Sequence, residues 1–331
     1  MAFKTNYKDE VPSGGKRLYG LIDKNGAYVY RDVQITRTNG NTQEGDTFGA
    51  AEVNEFGKFL NDTSHENMLI NADFRNPVNQ RKNKDINNTS TTQIKYFIDR
   101  WFVLNAYANI ADRLHVSIVV PEGKIGYFGQ FFEETLSGTY SVSINVPYLS
   151  RGRIKIYMNG NESTGYLDIS KAGIHTYTFK NVSKADGLVL KLENFYGDIQ
   201  WIKLECGESI SSFVPRPFIE EVTLCMSFYE VFAARRAYGV AFNTTFASLI
   251  YQFINTKRVA PSVVYSGVLG DALREMSNRN MTPSSLTTEV TTTGACNFQI
   301  QASGMSTSYG YSLDGGVLGF DSEIYREIKI K

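Results

Sequence analysis

The chain has 331 residues, more than the roughly 100–200 of a typical single domain, so two or three domains are expected. Its 34 Lys and Arg balance 34 Asp and Glu, and without a net positive field a dedicated nucleic-acid-binding protein is not expected. The chain has three cysteines without metal-ligand spacing, so a disulfide framework or a zinc site is not expected. No apolar run approaches the roughly 18 residues that cross a bilayer, so a signal peptide and membrane insertion are not expected either.

Residues 1–66 are predicted to form a small amino-terminal unit for attachment or oligomerisation. Strand-like patterns occupy Lys16–Leu21 and Tyr28–Arg37, on either side of a polar turn. A short amphipathic helix is expected over Phe48–Leu60. Because so short a helix needs a partner surface, a second copy of the chain is a natural partner.

Residues 67–217 have the pattern of an antiparallel jelly-roll β-sandwich. Short apolar runs recur between turns at intervals of roughly 8–12 residues. Residues 140–146 place apolar side chains at even positions and Ser or Asn at odd positions, which predicts a buried face and a solvated face. The same alternation recurs in residues 154–158, 188–192 and 202–206.

Residues 218–331 are predicted to form a helix followed by a carboxy-terminal, sandwich-like β domain. We call residues 218–331 the tip domain. Pro215 and Pro217 end the jelly roll as an extended linker, since proline is excluded from central strands. Glu220 and Glu221 favour a helix start, and the apolar stripe of that helix is predicted to be Leu224, Phe228 and Val231. The predicted tip strands are Ser248–Phe253, Ser262–Tyr265, Asn297–Ala302, Tyr309–Ser312, Gly316–Phe320 and a closing strand, Ile324–Ile330.

Several motifs resemble a family of bacteriophage and prophage tail-fibre-like proteins. In the amino-terminal unit, residues 42–54 are similar to segments of tail proteins from phages of Gram-positive bacteria. The other motifs are residues 67–74, 79–81 and 99–101 in the jelly roll, 202–207, 212–218 and 220–230 around the linker, and 257–261 and 320–324 in the tip. One departure is Lys257, which replaces the family's usual Met.

The resemblance implies a non-catalytic receptor-binding protein of the virion tail, assembled in the host cytoplasm. It implies binding to other tail or baseplate proteins, to polysaccharide on the host cell surface, and to further copies of the chain as a homotrimer. No heptad repeat in the sequence itself points to a trimer. Two alternatives stay open: a purely structural baseplate component and a tail-associated glycan hydrolase.

Four aromatic residues are the candidate receptor contacts, because the C–H face of a sugar ring packs on an aromatic face. Tyr157 and Trp201 have the parity of outward residues on their strands, and Tyr309 and Tyr311 lie among small polar residues in the tip. For all four the competing interpretation is packing against another domain or subunit. Trp101, in contrast, is expected in the core.

Catalytic and metal sites have weak support in the sequence. Glu133-Glu134 and Glu220-Glu221 are carboxylate candidates by residue type only, so no catalytic pair is assigned. Asn71 and Asp73 are candidate ligands for a structural calcium, because the resemblance places them where related carbohydrate modules hold this ion. The competing interpretation is turn capping, and no other cofactor is expected.

Overall fold

The computed structural model describes residues 18–22, 28–34, 66–110, 114–277 and 279–329. Within these residues the chain is mainly β-structure, which confirms the predicted fold class. In the amino-terminal unit, strands β1 (Leu18–Ile22) and β2 (Tyr28–Gln34) pair antiparallel, as predicted. The helix expected over 48–60 lies outside the described residues, so that expectation stays a prediction.

Residues 85–206 form a ten-stranded antiparallel sheet that bends around one core. Its strands are β3 (Asp85–Asn88), β4 (Lys95–Ile98), β5 (Trp101–Leu104), β6 (Ala106–Asn109), β7 (Val116–Val119), β8 (Ile125–Val146), β9 (Tyr148–Met158), β10 (Leu167–Ile169), β11 (Gly173–Ile199) and β12 (Trp201–Cys206). The first half of β8 pairs with β5 and the second half with β12. Bulges between Phe179 and Gly187 in β11 bend the long β8–β11 pair, so both strands serve both halves of the sandwich.

The alternating residues define the core of this sandwich. The even positions of 140–146 are buried, as predicted, and Trp101 lies fully inside the same core. The outer face departs from the expected pattern, because Ser141 and Ser143 are also buried. Ser141 donates a hydrogen bond to the carbonyl of Gly207, at the start of the segment that follows β12. The chain's own later residues therefore cover a face that strand alternation alone leaves in water.

The tip domain begins with one helix, α1 (Phe218–Met226), and continues as two antiparallel sheets. The strands are β13 (Tyr229–Val231), β14 (Ala237–Ala241), β15 (Phe246–Gln252), β16 (Ser262–Tyr265), β17 (Leu273–Glu275), β18 (Asn280–Met281), β19 (Ser285–Thr291), β20 (Ala295–Gln301), β21 (Gly310–Leu313) and β22 (Val317–Asp321). The sheets have the orders β13-β22-β16 and β18-β17-β21-β14-β15-β20-β19. They enclose a separate core centred on the ring of Phe320.

The predicted helix is present, but two other expectations for this domain are wrong, the extent of its apolar stripe and the closing strand. Helix α1 ends at Met226, and Val231 of the predicted stripe belongs instead to β13, whose backbone pairs with β22. The expected closing strand is not formed over residues 324–329, which run as an irregular segment. No helix among the described residues has the length and apolar character needed to span a bilayer.

The segment after β22, residues 322–329, packs on the outer surface of the jelly roll. Tyr96 donates its hydroxyl hydrogen to the carbonyl of Ile324, and the Arg326 guanidinium donates to the carbonyl of Asp186 at 3.2 Å. The Lys329 ammonium lies 2.6 Å from the Asp186 carboxylate. We call residues 322–329 the carboxy-terminal strap, because they tie the tip domain to the jelly roll.

A buried cluster of charges lies where the strap begins. The Arg100 guanidinium lies 2.7 Å from the Glu323 carboxylate, which also accepts the backbone N–H of Arg100 at 2.9 Å. The Arg81 guanidinium lies 3.1 Å from Asp321 and 3.8 Å from Asp99. Burial raises the pKa of Asp99 to about 7, against the opposing attraction of Arg81. We call these five residues the junction cluster.

Most motifs of the resemblance meet at this junction. Gln80 donates a hydrogen bond to the carbonyl of Tyr229 at 2.8 Å, and the Arg100 guanidinium lies 3.5 Å from the ring centre of Phe228. Glu221 of α1 pairs with Arg216 of the linker at 3.0 Å and accepts the backbone N–H of Asn71 in the jelly roll. These motif residues therefore hold the two domains and the linker together.

Candidate functional site

A candidate binding surface lies on the outward side of five neighbouring strands of the jelly roll, β3, β6, β7, β11 and β9. In β6 and β7, alanine, valine and isoleucine alternate with tyrosine, asparagine and serine, and the burial pattern alternates with them. At the end of β11, Phe195 and Ile199 point inward while Tyr196 and Asp198 point outward. The outward residues named here are polar or aromatic, and Val119 of β7 is an aliphatic exception on the same side.

Strand register brings these outward residues into two parallel rows. Residues that pair across antiparallel strands lie on the same face of the sheet. The first row crosses β3, β6, β7, β11 and β9 through Asn87, Tyr107, Val119, Tyr196 and Arg151. The second row follows the same strands through Asp85, Asn109, Ser117, Asp198 and Tyr148. We call these ten residues the tyrosine face.

The side chains of the tyrosine face are ordered by contacts with one another. Tyr148 and Tyr196 meet edge to face with ring centres 6.0 Å apart, yet they remain 47% and 40% exposed. The Ser117 hydroxyl donates to the Asp198 carboxylate at 2.7 Å, and His115 lies 3.2 Å from the same carboxylate. The face thus presents aromatic rings that are held in place and still reach solvent.

The composition of the face suits a polyhydroxylated ligand. Exposed tyrosines offer flat apolar area at a low cost in conformational entropy, and each carries a hydroxyl that donates and accepts hydrogen bonds. The asparagine amides, serine hydroxyl, carboxylates and guanidinium around them provide directional partners for sugar hydroxyls. An apolar surface with a few polar groups around it is the usual make-up of a small-molecule site.

The carboxy-terminal strap covers a different part of the outer surface of the jelly roll. On the outward side of β11, Val189 is buried in the cluster that includes Ile324 of the strap. Further along the same strand Tyr196 is exposed. The tip domain therefore covers one end of the outer surface of the jelly roll and leaves the tyrosine face to solvent.

The two jelly-roll aromatics predicted from strand parity are not exposed. Trp201 is 9% exposed because the ring of Phe213, in the linker, stacks on it at 4.7 Å. Tyr157 is 8% exposed and belongs to the same buried cluster as Ile324. Their outward parity is correct, but the expectation that solvent reaches them is wrong. Later segments of the same chain occupy the surface that a sugar would need.

The two tip tyrosines differ from each other. Tyr309 is 47% exposed, in agreement with a surface position. Tyr311 is 0% exposed, so the expectation of a surface contact is wrong for this residue. Its hydroxyl donates to Glu275 at 2.9 Å and accepts the backbone N–H of Ser306 at 2.7 Å. Tyr311 therefore has a structural role, fixing the 306–311 turn onto β17.

The calcium candidates Asn71 and Asp73 line the same small pocket, and both side chains already have hydrogen-bond partners. The Asn71 side chain is buried and makes three hydrogen bonds, to both backbone groups of Val78 and to the carbonyl of Asp99. Asp73 accepts two hydrogen bonds from the Arg75 guanidinium, at 2.7 and 2.9 Å. These contacts agree with the competing interpretation of turn capping, and the calcium site stays a prediction. Among the described residues, no group of three or more His, Cys, Asp or Glu could hold a metal ion.

The tyrosine face has the wrong carboxylate spacing for glycoside hydrolysis. Asp85 and Asp198 lie in the same row but three strands apart, about 14 Å at the usual strand spacing of about 4.8 Å. Glycosidases place their two carboxyl groups about 5–9.5 Å apart. This face is therefore better suited to binding than to cleavage.

Sequence reasoning missed the tyrosine face, although part of its signal was present. The alternation of residues 106–109 and 195–199 marks Tyr107 and Tyr196 as outward. What the sequence did not show is that β7, β11 and β9 are neighbours, because their paired residues lie far apart along the chain. A bulge between Leu149 and Arg151 also resets the parity of β9.

Comparisons with known proteins give little further information. No family model matches the chain, and no curated protein matches it. Among solved structures, recombinant discoidin II of Dictyostelium discoideum is similar at 9% sequence identity, over 65% of this chain and 82% of that one, with a TM-score of 0.16. A likeness at that score supports no argument about this chain, so the candidate site depends on its own geometry.

Proposed function

We propose that this chain is a non-catalytic receptor-binding protein of a bacteriophage tail, and that its tyrosine face binds polysaccharide on the host cell surface. The observation that supports glycan binding is the alignment of three outward tyrosines with amide, hydroxyl and charged groups across five strands. The tail assignment is supported by the sequence motifs described above.

If the chain is instead a purely structural baseplate component, the same surface would bind a protein rather than a glycan. Exposed tyrosines also occur at the centre of protein interfaces, so the tyrosine face could be covered by a neighbouring tail protein. The many polar and charged groups in its two rows favour a hydrated, hydroxyl-rich ligand over a protein core. The hydrolase alternative is less well supported, because the carboxylates of this face are too far apart.

Replacing Tyr148 and Tyr196 together with alanine is expected to weaken binding to host cells and to their isolated polysaccharide by about tenfold or more. Loss of an aromatic anchor at a binding site costs about 1–2 kcal/mol, and 1.4 kcal/mol is a factor of ten. The measurement is the binding of purified protein to intact cells and to immobilised polysaccharide. Both side chains are substantially exposed, so the melting temperature should change little.

The matched control is Tyr238→Ala, which removes an exposed tyrosine from the tip domain. It should bind polysaccharide like the parent protein. Cells stripped of surface glycan should lose binding of the parent. Undiminished binding to stripped cells, or equal binding by the double variant, would contradict the proposal and favour a protein receptor or a structural role.

The proposal includes self-association of the chain, because several copies that bind together raise the avidity of weak sugar contacts. We expect the protein in solution to have about three times the mass of one chain, as the sequence resemblance implies. Light scattering during size-exclusion chromatography at micromolar concentration measures this mass. A monomeric mass would remove the trimer from the proposal and leave the test of the tyrosine face unchanged.

A further inference from the structure

The tip domain contains an open cleft at one end of its seven-stranded sheet. The cleft has a volume of about 270 Å³ and is lined by Thr245, Phe246, Ser284, Gln301, Ala302 and Ser303. Phe246 and Gln301 pair across β15 and β20, so their side chains share one face of the sheet. A volume slightly below the usual range for ligand pockets, about 300–1,000 Å³, suits a single small ring.

The residues that line the cleft indicate which kind of ligand it can bind. Phe246 is stacked against the exposed ring of Phe242, with centres 5.7 Å apart. Around this apolar floor lie the hydroxyls of Thr245, Ser284 and Ser303 and the amide of Gln301. None of the lining residues is charged, so a phosphate, sulfate or carboxylate group would have no cationic partner there.

Backbone hydrogen bonds hold the cleft in shape. Ala302 donates its N–H to the carbonyl of Thr245 at 3.2 Å, and Ser284 donates its N–H to the carbonyl of Gln301 at 2.7 Å. The Thr245 hydroxyl donates to the side-chain oxygen of Asn243 at 3.0 Å. In the described part of the chain the Gln301 amide has no hydrogen-bond partner, so both its donor and acceptor are available to a ligand. The site is therefore largely formed before any ligand arrives.

We propose that this cleft binds one neutral sugar ring, as a second saccharide site separate from the tyrosine face. The apolar face of the ring packs on Phe246, while its hydroxyls exchange hydrogen bonds with Gln301 and the surrounding serine and threonine hydroxyls. The site lies in a different domain from the tyrosine face, so it does not depend on the function proposed for that face. One chain would then have two separate saccharide sites.

The test is titration of the full-length protein with methyl glycosides of glucose, galactose and N-acetylglucosamine, followed by saturation-transfer NMR. At least one neutral glycoside should bind, and glucose 6-phosphate should not. Gln301→Ala should raise the Kd of that glycoside about fivefold, as expected for one lost hydrogen bond. Phe246→Leu, which keeps apolar volume without the ring face, should weaken binding further.

Matched control variants distinguish glycoside binding in this cleft from binding elsewhere on the protein. Gln299→Ala removes an outward amide one pair along β20, next to the cleft but outside its lining, and should leave the Kd unchanged. The Tyr148→Ala, Tyr196→Ala protein should also keep this Kd. Since Gln301 is exposed, its alanine variant should fold even if Phe246→Leu does not. Absence of neutral-glycoside binding, equal binding of glucose 6-phosphate, or an unchanged Kd in Gln301→Ala would each overturn the proposal.

Discussion

Replacing Glu323 with alanine is expected to destabilise the protein by about 3–5 kcal/mol, the usual cost when one partner of a buried ion pair is removed. Glu323 has no exposed side-chain area and contacts the Arg100 guanidinium at 2.7 Å. Without it, the Arg100 charge stays buried at the junction, where its remaining side-chain partners are the carbonyl of Phe131 and the ring of Phe228. The strap should then detach, because Glu323 no longer anchors its beginning to Arg100.

Urea denaturation monitored by circular dichroism and tryptophan fluorescence measures this effect. The parent is expected to unfold in one transition, and the Glu323→Ala protein in two, as the tip and jelly roll uncouple. Glu327→Ala is the matched control, since this carboxylate lies in the same strap but is exposed. It should change stability by less than about 0.5 kcal/mol, as surface substitutions usually do. A Glu323→Ala loss as small as that of the control would show that the junction cluster does not hold the domains together.

Replacing Lys257 with methionine is expected to cost a similar amount, about 3–5 kcal/mol, although methionine is the residue usual in the resembling family. The Lys257 ammonium lies 2.6 Å from the Glu230 carboxylate, and both side chains are buried. Burial lowers the pKa of Lys257, and the hydrogen bond to Glu230 opposes this shift. Without the ammonium, the Glu230 charge would lie in the tip core with only neutral donors, the Tyr251 hydroxyl and the backbone N–H of Ile254.

A double variant tests whether the unpaired Glu230 charge causes the loss of stability in Lys257→Met. In Lys257→Met, Glu230→Gln the glutamine oxygen can still accept the hydrogen bonds of Tyr251 and Ile254, and no buried charge remains. Replacement of a whole buried pair by neutral residues is often nearly neutral, so most of the lost stability should return. Thermal melts of the parent and of both variants give the comparison. If the double variant melts as low as Lys257→Met alone, lost packing rather than an unpaired carboxylate is responsible.

Both predictions concern residues that were first noticed as motifs of a resemblance. Asp99-Arg100-Trp101 and residues 320–324 gave no functional signal in the sequence beyond that resemblance. The structure brings Arg100 and Glu323 together across 223 positions of the chain. Burying a charged side chain is costly unless it has a partner of opposite charge. Arg100 and Glu323 therefore each make the burial of the other possible.

Local chemistry in the sequence determined most of the secondary structure. Alternation predicted the buried faces of β8, β9, β11 and β12, because side chains on a strand point to opposite sides at every step. Pro215 and Pro217 lie in the segment without strands between β12, which ends at Cys206, and α1, in agreement with the exclusion of proline from central strands. The exception was the strap, whose alternating residues 324–329 have a strand-like pattern but pack as an irregular segment on another domain.

The exposure of each outward residue was decided only by tertiary structure. Parity placed Trp201 and Tyr157 on outer faces, and the linker and the strap then covered them. Tyr148 and Tyr196 became neighbours because β9 and β11 pair across a bulge, a register that no local pattern encodes. Strand alternation is a property of adjacent residues, so the sequence determines it directly. Coverage and register depend on contacts between distant segments, so the candidate binding face could be identified only once the chain was folded.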